Sequence, residues 1–448
     1  MLVNPNNIIH VSTNDFKAVS LFSNCGAGDI GYKKAGFSFE VMAEINPKRL
    51  NVCLLNHSNA VGIQGDLRET WTEVLTAYKS KTNGAPLSLL AACPPCQGMS
   101  SARGLRGSHE DADAGSKDDR NLLAVVIANV AKELKPNIIV VENVPEFFSK
   151  KVRHPDTNLP VTASNLLIDL LSENYKVYPI ILDMCDFGIP QTRKRSFLTL
   201  IKYKLPGLRT LLQKNFSPYP NTNGSPITLQ DALRSFNLPP LDASSLELSK
   251  SETYENKLHS VPVFTEDRYK MVNSIPPNSG KSAWTNNTCL NCKKINEDED
   301  VFCVVCQALL PKPVVKSSTG EFRLIRGFKT SSYKRMHPNK PASTILTTSA
   351  TMSSHNTIHP FENRVLSILE CSYLQTIDAD FKWGTALEKW GAIPVRKMIG
   401  EAVPPKFTLM HGEILMSVLN CSINNPLSAS DKRCVLAIKT LKKSKVVS

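Results

Sequence analysis

Residues 21–36 read LFSNCGAGDIGYKKAG, a stretch in which an apolar run passes into an amphipathic one through glycines at positions 26, 28 and 31. Glycine at such a junction permits a tight turn and close approach of the backbone to a ligand. The spacing therefore predicts a strand, a ligand-binding turn and a helix. Taken alone, this turn also fits a dehydrogenase or a simple tight connection, so its ligand stays open.

Short apolar runs alternate with longer amphipathic ones through the first 200 residues. Strands are predicted at 18–22, 40–45, 87–92, 138–141, 177–182 and 196–201, and helices at 47–56, 121–134 and 163–172. This alternation predicts an α/β fold, a doubly wound and mostly parallel sheet with helices on both faces. Ligands of such sheets bind beyond the carboxyl ends of the strands.

The chain of 448 residues is basic, with 53 lysines and arginines against 40 acidic residues and a net charge of +13. A basic balance suits a polyanionic partner such as nucleic acid, although a basic tail alone would also produce it. No apolar run reaches the roughly 18 residues of a membrane span, and the first residues lack a secretory pattern. We therefore expect a cytoplasmic protein, associated with the nucleoid through DNA, whose twelve cysteines are thiols or metal ligands.

The segment LLAACPPCQGMSS, residues 89–101, places Cys96 just past a predicted strand and behind a rigid pair of prolines. A nucleophilic thiol needs partial exposure and a fixed direction of approach, which such a backbone can supply. Two other interpretations compete: Cys93 and Cys96 have the spacing of a redox pair, or either thiol is simply buried.

Further motifs follow in order along the chain. They are VVENVPEF at 140–147, DFGIPQTRKRSF at 186–197, ENRVLSILECSYLQ at 362–375 and MIGEAVPPKF at 398–407. Together with the glycine-rich turn and Pro-Cys-Gln, this ordered set resembles the cytosine-5 DNA methyltransferase family of the bacterial restriction–modification type. The resemblance covers nearly the whole chain outside its middle part.

The resemblance implies transfer of a methyl group from S-adenosylmethionine to carbon 5 of a flipped-out cytosine in duplex DNA. Cys96 would attack carbon 6 of the ring while Glu142 acts at ring nitrogen 3. Arg195, supported by Arg193, would stabilise charge at the ring carbonyl oxygen. A structural ion-pair network is the competing interpretation of the carboxylate and the arginines.

The resemblance also implies a set of cofactor-binding residues. These are Phe22, Asn24, Cys25, Gly26, Glu44, Ile45, Asp66, Leu67, Pro95, Glu401 and Ala402. Asn24 and Ala27 stand where the family usually has glycine, and Glu401 replaces the usual asparagine. The polar stretch 97–120 is read as a loop that closes over DNA.

A second site is predicted in WTNNTCLNCKKINEDEDVFCVVCQALLP, residues 284–311. Two C-x-x-C pairs, formed by Cys289, Cys292, Cys303 and Cys306, are typical of a tetrahedral zinc site, here similar to zinc ribbons of the Ran-binding-protein type. Four unconnected thiols are the alternative. Because the acidic run 297–300 would repel phosphate, a structural role for zinc is favoured over contact with DNA.

The predicted domains are a catalytic domain at 1–204 and 393–448, a smaller irregular target-recognition domain at 205–370, and a hinge at 371–392. The residues predicted to contact DNA are Gln97, Ser100, Arg103, Gln191, Arg326, Lys334 and Arg335. We expect a monomer with no membrane partner, working beside a restriction endonuclease without needing to touch it. The alternatives are an RNA methyltransferase of the same fold and a zinc or redox nucleic-acid-binding protein without methyl transfer.

Overall fold

The structure, a computed structural model, describes residues 16–95, 123–154, 157, 159–222, 224–250, 256–327 and 330–445. Its strands are β1 (Phe16–Leu21), β2 (Phe37–Glu44), β3 (Val61–Gln64), β4 (Leu89–Ala92), β5 (Ile138–Asn143), β6 (Lys151–Arg153), β7 (Pro160–Thr162), β8 (Tyr175–Asp183), β9 (Lys194–Lys202), β10 (Phe216–Pro220), β11 (Val314–Lys316), β12 (Phe322–Leu324) and β13 (Pro426–Ser428). Its helices are α1 (Ala27–Lys34), α2 (Pro47–Asn56), α3 (Leu67–Thr82), α4 (Leu123–Leu134), α5 (Ala163–Leu171), α6 (Pro206–Gln213), α7 (Leu229–Phe236), α8 (Glu266–Asn273), α9 (Ile368–Leu374), α10 (Ala386–Trp390), α11 (Ala392–Glu401), α12 (Pro405–Leu419) and α13 (Lys432–Lys445).

Seven strands form one sheet in the order β3-β2-β1-β4-β5-β9-β8. All neighbours pair in parallel except those of β9, which runs antiparallel to both β5 and β8. The predicted mostly parallel α/β sheet is therefore confirmed. The edge strand β3 was not predicted, because its four residues VGIQ are too short and too exposed to show a pattern.

Both faces of the sheet are buried, with alternate residues of each strand entering different cores. On one face Val19, Leu90 and Ile139 pack with apolar residues of α3, α4, α5 and α13. On the other face Ala18 and Leu89 pack with residues of α6 and α12. This is the burial expected of central strands in a doubly wound sheet. Within the described ranges, no helix is long and apolar enough to cross a membrane.

Helix α12 packs closely against α1, and this contact closes the site end of the sheet. Thr408 donates its hydroxyl to the carbonyl oxygen of Gly28 at 2.6 Å. A Cβ atom at Gly31 would lie only 2.2 Å from the carbonyl oxygen of Pro405, so the two helices can approach this closely only where a side chain is absent. The C-terminal part of the chain therefore completes the catalytic domain.

The chain just past the predicted domain boundary at residue 205 still packs with the sheet. Helix α6 and strand β10 follow it, yet Leu208, Leu211 and Tyr219 belong to the core beneath the sheet. Strand β10 also pairs antiparallel with β13 near the end of the chain. The prolines and serines that suggested an irregular domain mark the surface connections of these elements. The catalytic core thus extends to Pro220.

The following residues, 221–366, have little regular structure and their own small core. Met271, Val272 and Ile275 of the α8 region pack there against Tyr333 and Ile358. Helix α7 instead joins α9 and α11 in a separate core, which also contains Cys25 and Ala27 from the glycine-rich turn. The irregular middle part is therefore anchored to the catalytic domain directly beside the turn.

Candidate active site

The glycine-rich turn after β1 is built from left-handed backbone. Phe22, Asn24 and Gly26 have φ of 59°, 49° and 74°, values that are uncommon for residues other than glycine and asparagine. A Cβ atom at Gly26 would lie 2.8 Å from the ring of His57, which also bonds the carbonyl oxygen of Gly26 through Nε2 at 2.9 Å. Asparagine is tolerated at 24 because it adopts left-handed geometry more readily than most residues.

The carboxylate of Glu44, at the end of β2, stabilises this turn through hydrogen bonds. Its Oε2 accepts from the backbone N–H of Asn24 at 2.9 Å, and its Oε1 accepts from that of Asn46 at the same distance. Burial raises the pKa of Glu44. Nearby, Arg49 forms an ion pair of 2.7 Å with Glu401. The sequence departure at 401 thus has a physical role, since the acidic residue there holds a basic one beside the turn.

A cavity with an empty volume of about 510 Å³, open solvent included, lies at the carboxyl ends of β1, β4 and β5. Phe22, Asn24, Glu401 and Ala402, four of the predicted cofactor residues, line it. The predicted catalytic residue Glu142 lines it as well. The turn, the C-terminal helices and the predicted catalytic strand therefore meet at one cavity.

Other predicted cofactor residues lie outside the lining of this cavity. The side chains of Cys25 and Leu67 are buried in apolar cores, so only their backbones could meet a ligand. Ile45 directly follows the last residue of β2, and its side chain is 60% exposed. Asp66 caps α3 by accepting from the N–H of Arg68 at 2.9 Å and pairs with the guanidinium of that residue.

Antiparallel pairing of β5 with β9 brings together the carboxyl group of Glu142 and the guanidinium of Arg195, both predicted to be catalytic. The register sets Glu142 opposite Phe197 and Asn143 opposite Ser196. Nε of Arg195 lies 3.0 Å from Oε1 of Glu142, and both side chains are mostly buried. A carboxylate beside a guanidinium at the wall of a cavity can bind the polar edge of a planar heterocycle.

The predicted nucleophile Cys96 lies outside the described residues, as do Gln97, Ser100, Arg103 and the polar loop at 97–120. The segment that leads to Cys96 is described up to Pro95. Cys93 lines the cavity, and burial raises the pKa of its thiol well above the usual value. The backbone of Pro94 is tied to the site, since its carbonyl oxygen accepts from Nδ2 of Asn143 at 3.0 Å.

Two residues of the Gln-x-Arg-x-Arg motif have roles other than those predicted. The guanidinium of Arg193, 1% exposed, donates to the carbonyl oxygens of Gly400 and Ala402, each at 3.0 Å. It therefore joins the start of β9 to the end of α11. Gln191 is fully buried and bonds Gln375 at 2.7 Å, so its predicted contact with DNA is wrong for this conformation.

The four cysteines of the middle part converge. Their sulfur atoms all lie within 4.8 Å of one another, and two pairs, Cys289–Cys306 and Cys292–Cys303, are 3.5 Å apart. Around a tetrahedral zinc ion with bonds of about 2.3 Å, sulfurs would be about 3.8 Å apart. The dimensions of the cluster are therefore close to those of a tetrahedral zinc site. Two isolated antiparallel bridges, Thr288↔Ile295 and Phe302↔Leu309, each enclose one C-x-x-C pair in a turn.

The backbone around the cluster favours thiolates. The N–H groups of Cys306 and Val305 lower the pKa of Cys303 to about 6. Within the acidic run, the backbone carbonyl oxygens of Glu297, Asp298 and Asp300 accept from the ammonium of Lys312. This arrangement makes the segment a compact, internally braced unit around its cysteines.

The predicted DNA-contact residues of the middle part differ in exposure. Arg326 is exposed and Lys334 is half-buried. Arg335 has 0% exposure and donates to the carbonyl oxygens of Val272, Ile275 and His359. The side chain is therefore not available for the predicted contact with DNA in this structure, because the guanidinium stabilises a chain segment poor in secondary structure.

Two residues beside the catalytic pair were not identified from the sequence. Asn143 stands next to Glu142 within the quoted motif. Because successive side chains of a strand point to opposite faces of the sheet, the sequence could have indicated that these two residues have different roles. Asp29 lies in the first turn of α1 and lines the cavity. A lone aspartate in a helix start resembles an ordinary favourable end charge, so no sequence signal distinguished it.

Similar solved structures show that the fold is shared with methyltransferases. A chain described as a DNA modification methyltransferase encoded within an E. coli prophage covers 91% of this chain and 100% of its own, with a TM-score of 0.55 and 20% identity. A mutant of DNMT2 from Spodoptera frugiperda gives a TM-score of 0.51 with 14% identity, over 90% of this chain and 100% of its own. The architecture is that of the S-adenosylmethionine-dependent methyltransferases.

The sequence comparisons narrow this class to one family. Residues 16–412 match the C-5 cytosine-specific DNA methylases, and the chain belongs to that family. Type II methyltransferase M1.HgaI of Avibacterium volantium is 29% identical over 402 residues, 86% of this chain and 94% of the relative. Type II methyltransferase M.DdeI of Desulfomicrobium norvegicum is 25% identical over 434 residues, 93% and 92% of the two chains. The predicted activity, methylation of cytosine at carbon 5 in DNA, is confirmed.

Proposed function

We propose that the reaction takes place at the cavity below the glycine-rich turn, with Cys96, Glu142 and Arg195 as catalytic residues. The observation that carries this proposal is the 3.0 Å contact between Arg195 and Glu142 at the wall of the cavity that the turn also lines. S-adenosylmethionine supplies the methyl group when bound. Phe22, Asn24, Glu401 and Ala402 would hold it, together with backbone at Cys25, Gly26 and Pro95.

The residues divide the chemistry between them. The carboxyl group of Glu142 donates a proton to ring nitrogen 3 and Arg195 binds the ring carbonyl oxygen, so electron density leaves carbon 6. The Cys96 thiolate then forms a bond to carbon 6, and carbon 5 takes the methyl group as the bond between that group and the donor sulfur breaks. Loss of the carbon 5 proton to solvent expels the thiolate, and Glu142 recovers its proton from nitrogen 3. Arg193 acts as a positioning residue because its guanidinium holds the start of β9 against α11.

The middle part, from residue 221 to about 370, is proposed as the target-recognition domain, with 371–392 as its connection to the catalytic domain. Arg326 and Lys334, which remain accessible, are the candidates for contact with DNA. The cysteine cluster is proposed to hold a structural zinc ion that stabilises this domain, whose own apolar core is small. Cys289 and Cys303 are buried whereas Cys292 and Cys306 are exposed, so the metal would join the interior of this segment to its surface.

We further propose that the enzyme protects host DNA from a restriction endonuclease. Support comes from the Type II methyltransferases that the chain resembles over most of its length. The redox interpretation of Cys93 and Cys96 loses support, because a partly buried thiol whose pKa is raised is a poor redox partner. The RNA alternative is less supported than DNA, since the matching family is one of DNA methylases.

Expression in a host without cytosine methylation, followed by base-resolved mapping of 5-methylcytosine, tests the proposal and reveals the recognised sequence. We expect methylation at one short duplex sequence. Duplex DNA with 5-fluorocytosine at the mapped position should then be trapped covalently on the protein in the presence of the methyl donor. Methylation confined to RNA, or an absence of trapping on the mapped DNA, would contradict the proposed substrate or the proposed nucleophile.

A further inference from the structure

The cofactor cavity contains a carboxyl group to which the catalytic scheme gives no role. Asp29, in the first turn of α1, lines the cavity and is 8% exposed. Its Oδ2 accepts from the hydroxyl of Ser20 at 2.9 Å. Among the described residues, no lysine, arginine or histidine forms an ion pair with it. A buried carboxylate without a cation is costly, so this side chain needs a physical explanation.

The groups that face Asp29 from the neighbouring elements do not supply positive charge. Tyr32 on α1, Cys53 on α2 and Cys93 after β4 are acids that interact with it electrostatically. Glu142 on β5 adds a further carboxyl group at the cavity wall, and the nearby Arg195 is already engaged with Glu142. Burial raises the pKa of Asp29 to about 7, although the bond from Ser20 opposes the shift.

We propose that Asp29 is the counter-ion for the cationic methionine end of S-adenosylmethionine and that binding of this cofactor releases a proton from the carboxyl group. The inference rests on the proposed function, which places the cofactor in this cavity. The methionine end carries a sulfonium, an ammonium and a carboxylate group, so its net positive charge can neutralise a carboxylate that the protein leaves without a cation. Because Asp29 is mostly buried, the low local dielectric strengthens this pairing.

The charge of Asp29 also predicts that the protein distinguishes the cofactor from related nucleosides by their charge. S-adenosylhomocysteine keeps the ammonium but lacks the sulfonium, whereas 5′-methylthioadenosine carries neither charge. A neutral ligand gains nothing from an ionised Asp29 and meets no penalty when the group is protonated. Binding of 5′-methylthioadenosine should therefore be independent of Asp29, and this ligand provides the internal reference.

The matched variants are Asp29→Asn and Glu40→Gln. Asparagine keeps the shape of the side chain and an oxygen that can accept from Ser20, so only the charge and its titration are removed. Glu40 is a mostly buried carboxyl on β2 that pairs with Lys17 and Lys81 away from the cavity. Its replacement controls for the loss of a buried carboxylate in general. Near-ultraviolet circular dichroism of each variant verifies the fold.

Isothermal titration calorimetry at several pH values measures binding by the full-length protein. We expect Asp29→Asn to bind S-adenosylmethionine roughly 10- to 100-fold more weakly than the wild type at pH 8, with Glu40→Gln within about twofold. The ratio of wild-type to Asp29→Asn affinity should rise about tenfold from pH 6 to pH 8, because only the ionised carboxyl binds the cation. An equal effect on S-adenosylhomocysteine assigns the contact to the ammonium, and an effect confined to S-adenosylmethionine assigns it to the sulfonium.

The wild type alone provides a second measurement that needs no variant. Titrations in buffers of different ionisation enthalpy at pH 6.5 should show release of about 0.8 proton per S-adenosylmethionine and none per 5′-methylthioadenosine. Equal affinity of Asp29→Asn and wild type, or an absence of proton release, would overturn the assignment of Asp29 while leaving the proposed function intact. Failure of the wild type to bind any of the three ligands would instead contradict the proposed function itself.

Discussion

Nδ2 of Asn143 donates to the carbonyl oxygen of Pro94 at 3.0 Å, which ties the end of β5 to the proline pair that precedes Cys96. The same asparagine accepts through its backbone carbonyl from the hydroxyl of Ser196 at 3.1 Å. One residue thus fixes the nucleophile's segment relative to Glu142 on its own strand and to Arg195 on β9. The position of the segment that leads to Cys96, relative to Glu142 and Arg195, depends on this junction.

Replacement of Asn143 by leucine should therefore impair catalysis more than binding. We expect kcat for DNA methylation to fall by roughly 100-fold, because a displacement of about 1 Å at reacting atoms has an effect of this size. Affinity for S-adenosylmethionine, measured by titration calorimetry, should change by less than about threefold, since Asn143 does not line the cavity. A proportional loss of both quantities would indicate a general folding defect instead.

The two arginines of the motif should respond in opposite ways to replacement by lysine. Arg195→Lys should lower kcat by roughly 100-fold with little change in stability, because lysine cannot present the same planar donors. Arg193→Lys should lower the apparent free energy of unfolding by roughly 2–4 kcal/mol, since buried carbonyls at Gly400 and Ala402 lose a donor. Urea unfolding and single-turnover methylation, measured on both variants, check this contrast; matching profiles would contradict the division of roles.

The two cysteines of the C-x-x-C segment should also differ. Cys96→Ser should abolish methylation and covalent trapping, since the thiolate forms the bond to carbon 6. Cys93→Ser should reduce the rate by no more than about tenfold, because a partly buried thiol at the cavity wall contributes packing and no bond to the ring. Comparable losses in both variants would favour a redox pair.

Loss of one cysteine of the cluster should remove the metal and destabilise the middle part. By atomic absorption we expect one equivalent of zinc in the wild type and none in Cys303→Ser, and we expect the variant to melt at a lower temperature. Cys421→Ser, at an exposed free cysteine, is the matched control and should keep both. Binding of S-adenosylmethionine should persist in Cys303→Ser, because the cavity is formed by catalytic-domain residues. An unchanged zinc content would refute the metal assignment.

Acid should destabilise the protein partly through His57. Burial lowers the pKa of this histidine to about 4, below its usual 6.5, so the unfolded chain binds a proton that the folded chain excludes. The contribution is present above pH 6.5 and is lost as the pH falls toward 4. His57→Gln should reduce the loss of apparent unfolding free energy between pH 6.5 and pH 4.5 by about 2 kcal/mol, as measured by urea titration at each pH. Parallel curves for the variant and the wild type would contradict this role.

The class of reaction was predictable from the sequence, because its motifs in their order resemble those of a known family. Cysteine after paired prolines, Glu-Asn-Val, the two arginines and two C-x-x-C pairs are local patterns, and the periodicity of apolar residues specifies strands and helices within a few positions. These features depend on neighbours in the sequence, so they identified the sheet, the reaction and the cluster of cysteines. The helix predicted at 47–56 has the same bounds as α2.

Only the tertiary structure decided which polar residues face a ligand and which face the interior. Arg193 and Arg195 are two positions apart, yet one bonds carbonyls of α11 and the other reaches Glu142 across an antiparallel pair. Gln191 and Arg335 looked accessible to DNA but are buried, and Asp29 looked ordinary but lines the cavity. Each of these roles depends on contacts between residues far apart in the chain, whose register and burial are set by packing and leave no local trace in the sequence.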